Sequence, residues 1–247
     1  MTFDPPLIEA VLVQRYKRFL ADVRLSNGSI ITVHCPNPGA MMGLNQPGSR
    51  CWISDSNNPK RKLRHTLEAM EVDGPDGKVM VGINTNHPNR LAEAAIAQGR
   101  VPQLSGYNSI RREVRYGENS RIDLLLEAPD RRPCYVEIKN VHLVRQPGLH
   151  EFPDCRTDRG AKHLRELAAM AAAGSRAVML YVIQREDGDR FSLAADIDPA
   201  YASAFALARA TGVEAYAIRC HITEHDIEAT TMIPVVDPAI GVKTEPV

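Results

Sequence analysis

Three residues within a short span of the chain carry chemistry that their neighbours do not. Ser120-Arg121-Ile122-Asp123-Leu124-Leu125-Leu126 is an apolar run interrupted by one acid, and Glu137-Ile138-Lys139 follows with thirteen residues between Asp123 and Glu137. Side chains alternate across an extended strand, so Arg121 and Asp123 are expected on one face, and Glu137 and Lys139 on the face opposite Ile138. Two neighbouring strands would then aim Asp123, Glu137 and Lys139 at one point. Phosphodiester cleavage needs hard oxygen ligands for Mg²⁺ or Mn²⁺ and benefits from a nearby cation, and these three residues supply that set. Two adjacent carboxylates repel unless a divalent ion lies between them. A cross-strand ion pair on an exposed sheet is the rival reading.

A third carboxylate is expected from Glu93, on a helix ahead of the strands, or from Glu113, which alternates with Arg115; either could equally be a solvated acid. Arg159, Lys162, His163 and Glu166 recur at spacings of three and four, forming one stripe that reads as a phosphate-facing edge or as the wet side of an amphipathic helix. Nearer the start, Arg15-Tyr16-Lys17-Arg18-Phe19 mixes cations with aromatics, as backbone-tracking and base-stacking surfaces do. Lys60-Arg61-Lys62-Leu63-Arg64-His65 is the densest basic run, with Arg61, Lys62 and Arg64 as candidate phosphate contacts; a solvated loop is the alternative. Arg121 joins the candidate nucleic-acid contacts, whereas His34 beside Cys35 lacks further ligands at metal spacing.

The elements that must position these residues change character midway. Up to residue 83 the chain reads as about five short strands joined by broad turns, with Asn27-Gly28 the clearest hairpin signal; this is the pattern of an all-β barrel of the OB type. From residue 84 to 247 the expected order is α, β, β, β, α, β, α, β, an α/β sheet flanked by helices. Helices are expected near Leu91 to Gln98, at Lys162 to Ala173 behind a Thr157-Asp158 cap, and at Pro199 to Ala210, closed by Gly99, Gly174 and Gly212.

Composition narrows the class. In 247 residues, 30 basic and 30 acidic residues cancel. Five acids against Lys243 follow Ile222, which leaves a mildly basic body with an acidic tail. Five widely spaced cysteines make no zinc or redox motif and point to free thiols in a reducing compartment. With no leader-like segment and no apolar run of about 20 residues, a cytoplasmic location off the membrane is expected.

The sequence also resembles the sugar fermentation stimulation protein A family, from about Leu7 to Cys220. The landmarks are His34-Cys35-Pro36-Asn37-Pro38-Gly39-Ala40-Met41, Gly82-Ile83-Asn84-Thr85, Pro88-Asn89-Arg90-Leu91, Glu113-Val114-Arg115-Tyr116-Gly117, Ser120-Arg121-Ile122-Asp123, Tyr135-Val136-Glu137-Ile138-Lys139-Asn140-Val141, Phe152-Pro153-Asp154, and the run from Arg159 to Leu167. The resemblance implies an OB-type domain joined to a PD-(D/E)xK nuclease fold, sequence-independent DNA binding, and a regulatory link to sugar, especially maltose, metabolism. It places the nuclease motif on Asp123, Glu137 and Lys139. His142 and Cys155-Arg156 depart from the family's usual residues, a change confined to the rim. A non-enzymatic regulator and an RNA-binding or RNA-processing protein are the alternatives.

Overall fold

The computed structural model describes residues 1–117 and 120–236. The first half forms six strands, β1 (Ile8–Tyr16), β2 (Leu20–Leu25), β3 (Ile30–His34), β4 (Arg50–Asp55), β5 (His65–Gly74) and β6 (Gly77–Gly82). They are ordered β3-β2-β1-β4-β5-β6, and a parallel bridge from His34 to Thr66 joins β3 to β5 and closes the barrel. Leu12, Val23, Val33, Ile53, Leu67 and Met70 fill the inside, the β4–β5 register shift bringing both Leu67 and Met70 inward. Asn27-Gly28 makes the β2–β3 turn, with Gly28 at φ +83°. The β1–β2 turn is made by Lys17 and Arg18, both at positive φ.

The second half is a mixed sheet ordered β15-β14-β12-β9-β8-β7. Its strands are β7 (Ser109–Tyr116), β8 (Ser120–Ala128), β9 (Arg131–Val141), β12 (Arg176–Ile183), β14 (Glu214–Ile222) and β15 (Ile227–Ile233). β12 pairs parallel with both β9 and β14, and its run Ala177–Ile183 is buried on both faces, as a central parallel strand requires. Helix α1 (Pro88–Ala97) covers one face, where Leu91, Ala92 and Ala95 meet Leu124, Val136 and Leu180. Helices α2 (Asp158–Ala172) and α3 (Pro199–Ala210) cover the other, packing Leu164, Leu167 and Phe205 on Ile122, Met179 and Tyr181. Thr157 caps α2 by accepting from the Gly160 amide, and Asp198 caps α3 by accepting from Tyr201.

A small sheet, β10 (Leu143–Gln146), β11 (Gly148–Phe152) and β13 (Gly188–Leu193), stands beside these layers. His142 separates β9, which ends at Val141, from β10. Residues 222–236 are no tail: β15 completes the sheet, and Glu228 pairs with Arg100 at 2.6 Å. Asp237, Lys243 and Glu245 of the expected acidic tail lie outside the described residues. All five cysteines are free, four of them buried. No described helix is long and apolar enough to cross a membrane.

The barrel and the sheet meet through buried polar bonds. Gln184 accepts from the Gly82 amide and donates to the Asn84 carbonyl and to Asn140, while Asp154 accepts from the Met41 amide at 2.9 Å.

Candidate active site

The ladder between β8 and β9 runs to Leu124 opposite Val136 and no further. Beyond it the strands part, and Asp123 stands at the fork. Its Oδ2 accepts from the Ile138 amide at 2.7 Å, replacing a ladder bond, and Oδ1 accepts from Asn89 at the start of α1 at 2.8 Å. The expected alternation fails here. Ile122 packs with Tyr116 and Leu125 toward α2, whereas Leu124 packs toward α1, so the strand bends at Asp123.

Glu137 and Lys139 share the α2 face of β9, opposite Ile138, as expected. Glu137 is 2% exposed. Its Oε1 receives Lys139 Nζ at 2.6 Å and His163 Nδ1, while Oε2 has no partner. Burial, then the charge of Glu137, pushes Asp123 up to about 6. Burial would also raise Glu137, but the His163 bond and the Lys139 charge outweigh it and hold this carboxyl below its ordinary value. The two acids thus sit close enough to oppose each other's ionisation, with one favoured as the anion.

Glu93 lies elsewhere: it pairs with Arg112 of β7, on the side of the sheet that α1 covers. It is an ion-pair partner of a neighbouring strand. Glu113, at φ +53°, is exposed. Among the described residues, no three acidic, histidine or cysteine side chains stand together as a ready cation cage. Among the shielded side-chain oxygens without partners are Glu137 Oε2, both carboxylate oxygens of Glu166 and the Tyr116 hydroxyl. All are hard donors, which suits Mg²⁺, Mn²⁺ or Ca²⁺ and no soft metal.

The cations divide into two groups. Lys17, Arg18, Arg61, Lys62, Arg121, Arg159 and Lys162 are exposed. Arg121 lies directly opposite Arg115 across the β7–β8 hairpin. Two candidates, Arg15 and His163, are committed inside the protein, and Arg64 is exposed but engaged in an ion pair. Arg15 donates to the carbonyls of Asn37 (2.8 Å), Gly39 (2.9 Å) and Arg18 (3.0 Å), so it braces the loop that follows β3. Arg64 makes a two-pronged pair with Asp55. His163 is buried and turned onto Glu137.

Asn89 and Tyr116 escaped assignment from the sequence, and Glu166 was placed only on the α2 stripe. The spacing did hold a signal for two of them. Asn89 opens α1 four residues before Glu93, and Glu166 lies one turn beyond His163 on the same flank of α2.

A six-stranded OB barrel joined to a PD-(D/E)xK-type sheet, with an Asp, a Glu and a Lys at the fork of two strands, defines a nuclease-like two-domain protein. Comparison with known families agrees. Residues 13–83 match the SfsA N-terminal OB domain, and residues 86–226 match the Sugar fermentation stimulation protein RE domain. The chain belongs to the sugar fermentation stimulation protein family. A sugar fermentation stimulation protein homolog of Brucella ovis is 55% identical over 96% of this chain and 98% of its own length. One from Agrobacterium fabrum is 56% identical over 93% of this chain and 95% of its own. Pyrococcus furiosus SfsA, solved in complex with Ca²⁺, superposes with a TM-score of 0.83 at 28% identity, covering 94% of this chain and 96% of that one.

Proposed function

We propose that this protein binds DNA without sequence preference and hydrolyses its phosphodiester bonds with a divalent cation, Mg²⁺ or Mn²⁺, held by Asp123 and Glu137. The observation that carries this reading is the burial of two opposed carboxylates at a strand fork, one of them with an oxygen lacking any partner. Such a pair is costly without a cation. The Ca²⁺ bound by the Pyrococcus furiosus relative supports a hard divalent ion in this family. When bound, the ion would supply Lewis acidity for water activation and for charge on the phosphate.

The chain's own residues do the rest. Asn89 and the Ile138 amide fix the plane of the Asp123 carboxylate, and His163 fixes that of Glu137. Lys139 keeps a positive charge beside the reacting phosphate. The exposed cations on the β1–β2 turn, the Lys60–His65 segment, β8 and α2 contact backbone phosphates, so affinity falls with salt and is indifferent to base sequence.

Labelled DNA and RNA incubated with Mg²⁺ or Mn²⁺, using the intact protein and Asp123→Ala and Glu137→Ala, test this. Cutting that is metal-dependent and lost in both variants is the expected result. The engagement of Glu137 Oε1 by both Lys139 and His163 favours a second reading, a non-enzymatic DNA-binding regulator of sugar (maltose) genes. Binding without cutting under every condition would select it, and a preference for single-stranded RNA would select an RNA-binding or RNA-processing role.

A further inference from the structure

The cation seat proposed above has two carboxylates, and the acid expected to make a third is spent on Arg112. We propose that Glu166 of α2 is the third carboxylate, binding the divalent cation together with the free Oε2 of Glu137, and that the Tyr116 hydroxyl completes this side of the seat. This inference rests on the reading of Asp123 and Glu137 as cation ligands.

The placement follows from helix geometry. His163 and Glu166 are three residues apart, so they share a flank of α2. His163 is bonded to Glu137, and the same flank therefore carries Glu166 over the β7 end of the site. There it lies under the β7–β8 hairpin, where a methyl added at Gly117 would come within 3.1 Å of Glu166 Oε1.

The state of the carboxylate is the second observation. Neither Glu166 oxygen has a hydrogen-bond donor among the described residues, although both are shielded from solvent. The nearest cation, Lys162 Nζ, is 3.6 Å from Oε1 on an exposed side chain. The Tyr116 hydroxyl is also buried and without a partner. Tyr116 directly precedes Gly117 and packs in the same buried cluster as Ile122 of β8 and Leu164 of α2.

Shielded oxygens that lack donors are costly, and a structure keeps them where something else binds them. With two carboxylates, a phenol oxygen and no sulfur or second imidazole, that something is a hard divalent cation. The oxygens do not form a closed cage as they stand, so Glu166 must rotate toward Glu137. Having no bonds to break, it can do so at small cost.

Terbium luminescence tests the assignment on the full chain. Excitation through tyrosine reports an ion beside Tyr116, and Ca²⁺ competition gives the affinity for the natural class of ion. Glu166→Gln is expected to weaken Ca²⁺ binding at least roughly ten-fold, whereas Glu93→Gln should leave it unchanged. Unaltered affinity in Glu166→Gln, or a loss in Glu93→Gln with none in Glu166→Gln, overturns the proposal. Asp123→Asn separates this result from the reading beneath it. If Asp123→Asn binds Ca²⁺ as the parent does, the two-carboxylate seat itself fails; if Asp123→Asn weakens binding and Glu166→Gln does not, only the third ligand fails. Should Glu166→Gln not fold, Glu166→Asp keeps the charge on a shorter arm. Weakened binding there supports the assignment, and unchanged binding overturns it.

Discussion

Asp123 makes with its side chain the bond to Ile138 that the β8–β9 ladder omits, at 2.7 Å. The carboxylate therefore has a structural and a chemical task, and two substitutions separate them. Asparagine retains an oxygen that can accept from the Ile138 amide but loses the charge. Alanine removes both and strands a buried donor, at about 1–3 kcal/mol. Asp123→Asn should unfold in urea close to the parent while cleavage falls at least about 100-fold; Asp123→Ala should lose cleavage and also unfold earlier. Equal urea midpoints for the two variants would show that the bond to Ile138 contributes nothing to stability.

Arg15 and Arg18 lie three residues apart, yet the structure gives them opposite tasks. Arg15 is spent on four backbone carbonyls, and Arg18 is exposed at the tip of the β1–β2 turn. Arg15→Ala should lower the melting temperature and leave the slope of log affinity against log salt unchanged. Arg18→Ala should leave melting alone, weaken DNA binding across sequences, and reduce that slope by about one. Titrations at several salt concentrations with two unrelated duplexes, beside thermal melts, decide between the two assignments.

That contrast marks what the sequence could convey. Strand alternation placed Glu137 and Lys139 together, because β9 is regular through both residues. It misplaced Asp123's neighbours, because the bend at the fork is a tertiary event that no local period records. Hairpins and caps were legible from Asn27-Gly28 and Thr157-Asp158, because the Asn27 and Thr157 side chains accept from the nearby Ser29 and Gly160 amides. β11, β13 and β15 were not, since Gly148–Phe152, Gly188–Leu193 and Ile227–Ile233 mix polar and apolar residues without strict alternation. Whether a cation meets solvent or a carbonyl depends on distant chain, which is why Arg15 and His163 read as surface contacts. Glu93 was credited for its helix, and the structure pairs it with Arg112 of β7.

The loop Pro36–Met41 carries the contact between barrel and sheet, and Gly39 shows how closely. A methyl there would lie 2.7 Å and 2.9 Å from the two Asp154 oxygens and 3.0 Å from Asn37 Oδ1. Asp154 also receives the Met41 amide and His142. Gly39→Ala must displace that carboxylate and loosen the junction, at a cost of about 1–3 kcal/mol. Limited proteolysis is the direct readout: the variant should be cut between the two halves faster than the parent, while each half stays resistant. A proteolysis rate equal to the parent's would mean that the loop yields without releasing Asp154.

His150 should set an acid limit on stability. It is fully buried in β11, and neither ring nitrogen has a hydrogen-bond partner. Burial, reinforced by the charge of Arg185, pushes it down to about 4. Above its ordinary value of 6.5 the imidazole is neutral in both folded and unfolded chains, and its contribution to pH dependence is nil. As pH falls from about 6.5 toward 4, the unfolded chain takes up a proton that the native chain refuses, so stability declines; below about 4 both forms are protonated and the decline from this residue stops. A depression of this size corresponds to about 3 kcal/mol at most. His150→Leu, similar in volume and free of the two unpartnered nitrogens, should match or exceed the parent at pH 7 and pull further ahead by pH 4.5. Urea unfolding of both proteins at those two pH values measures the difference, which cancels the acid sensitivity of the carboxylates they share. If the gap between variant and parent is the same at both pH values, His150 is not held neutral by its surroundings.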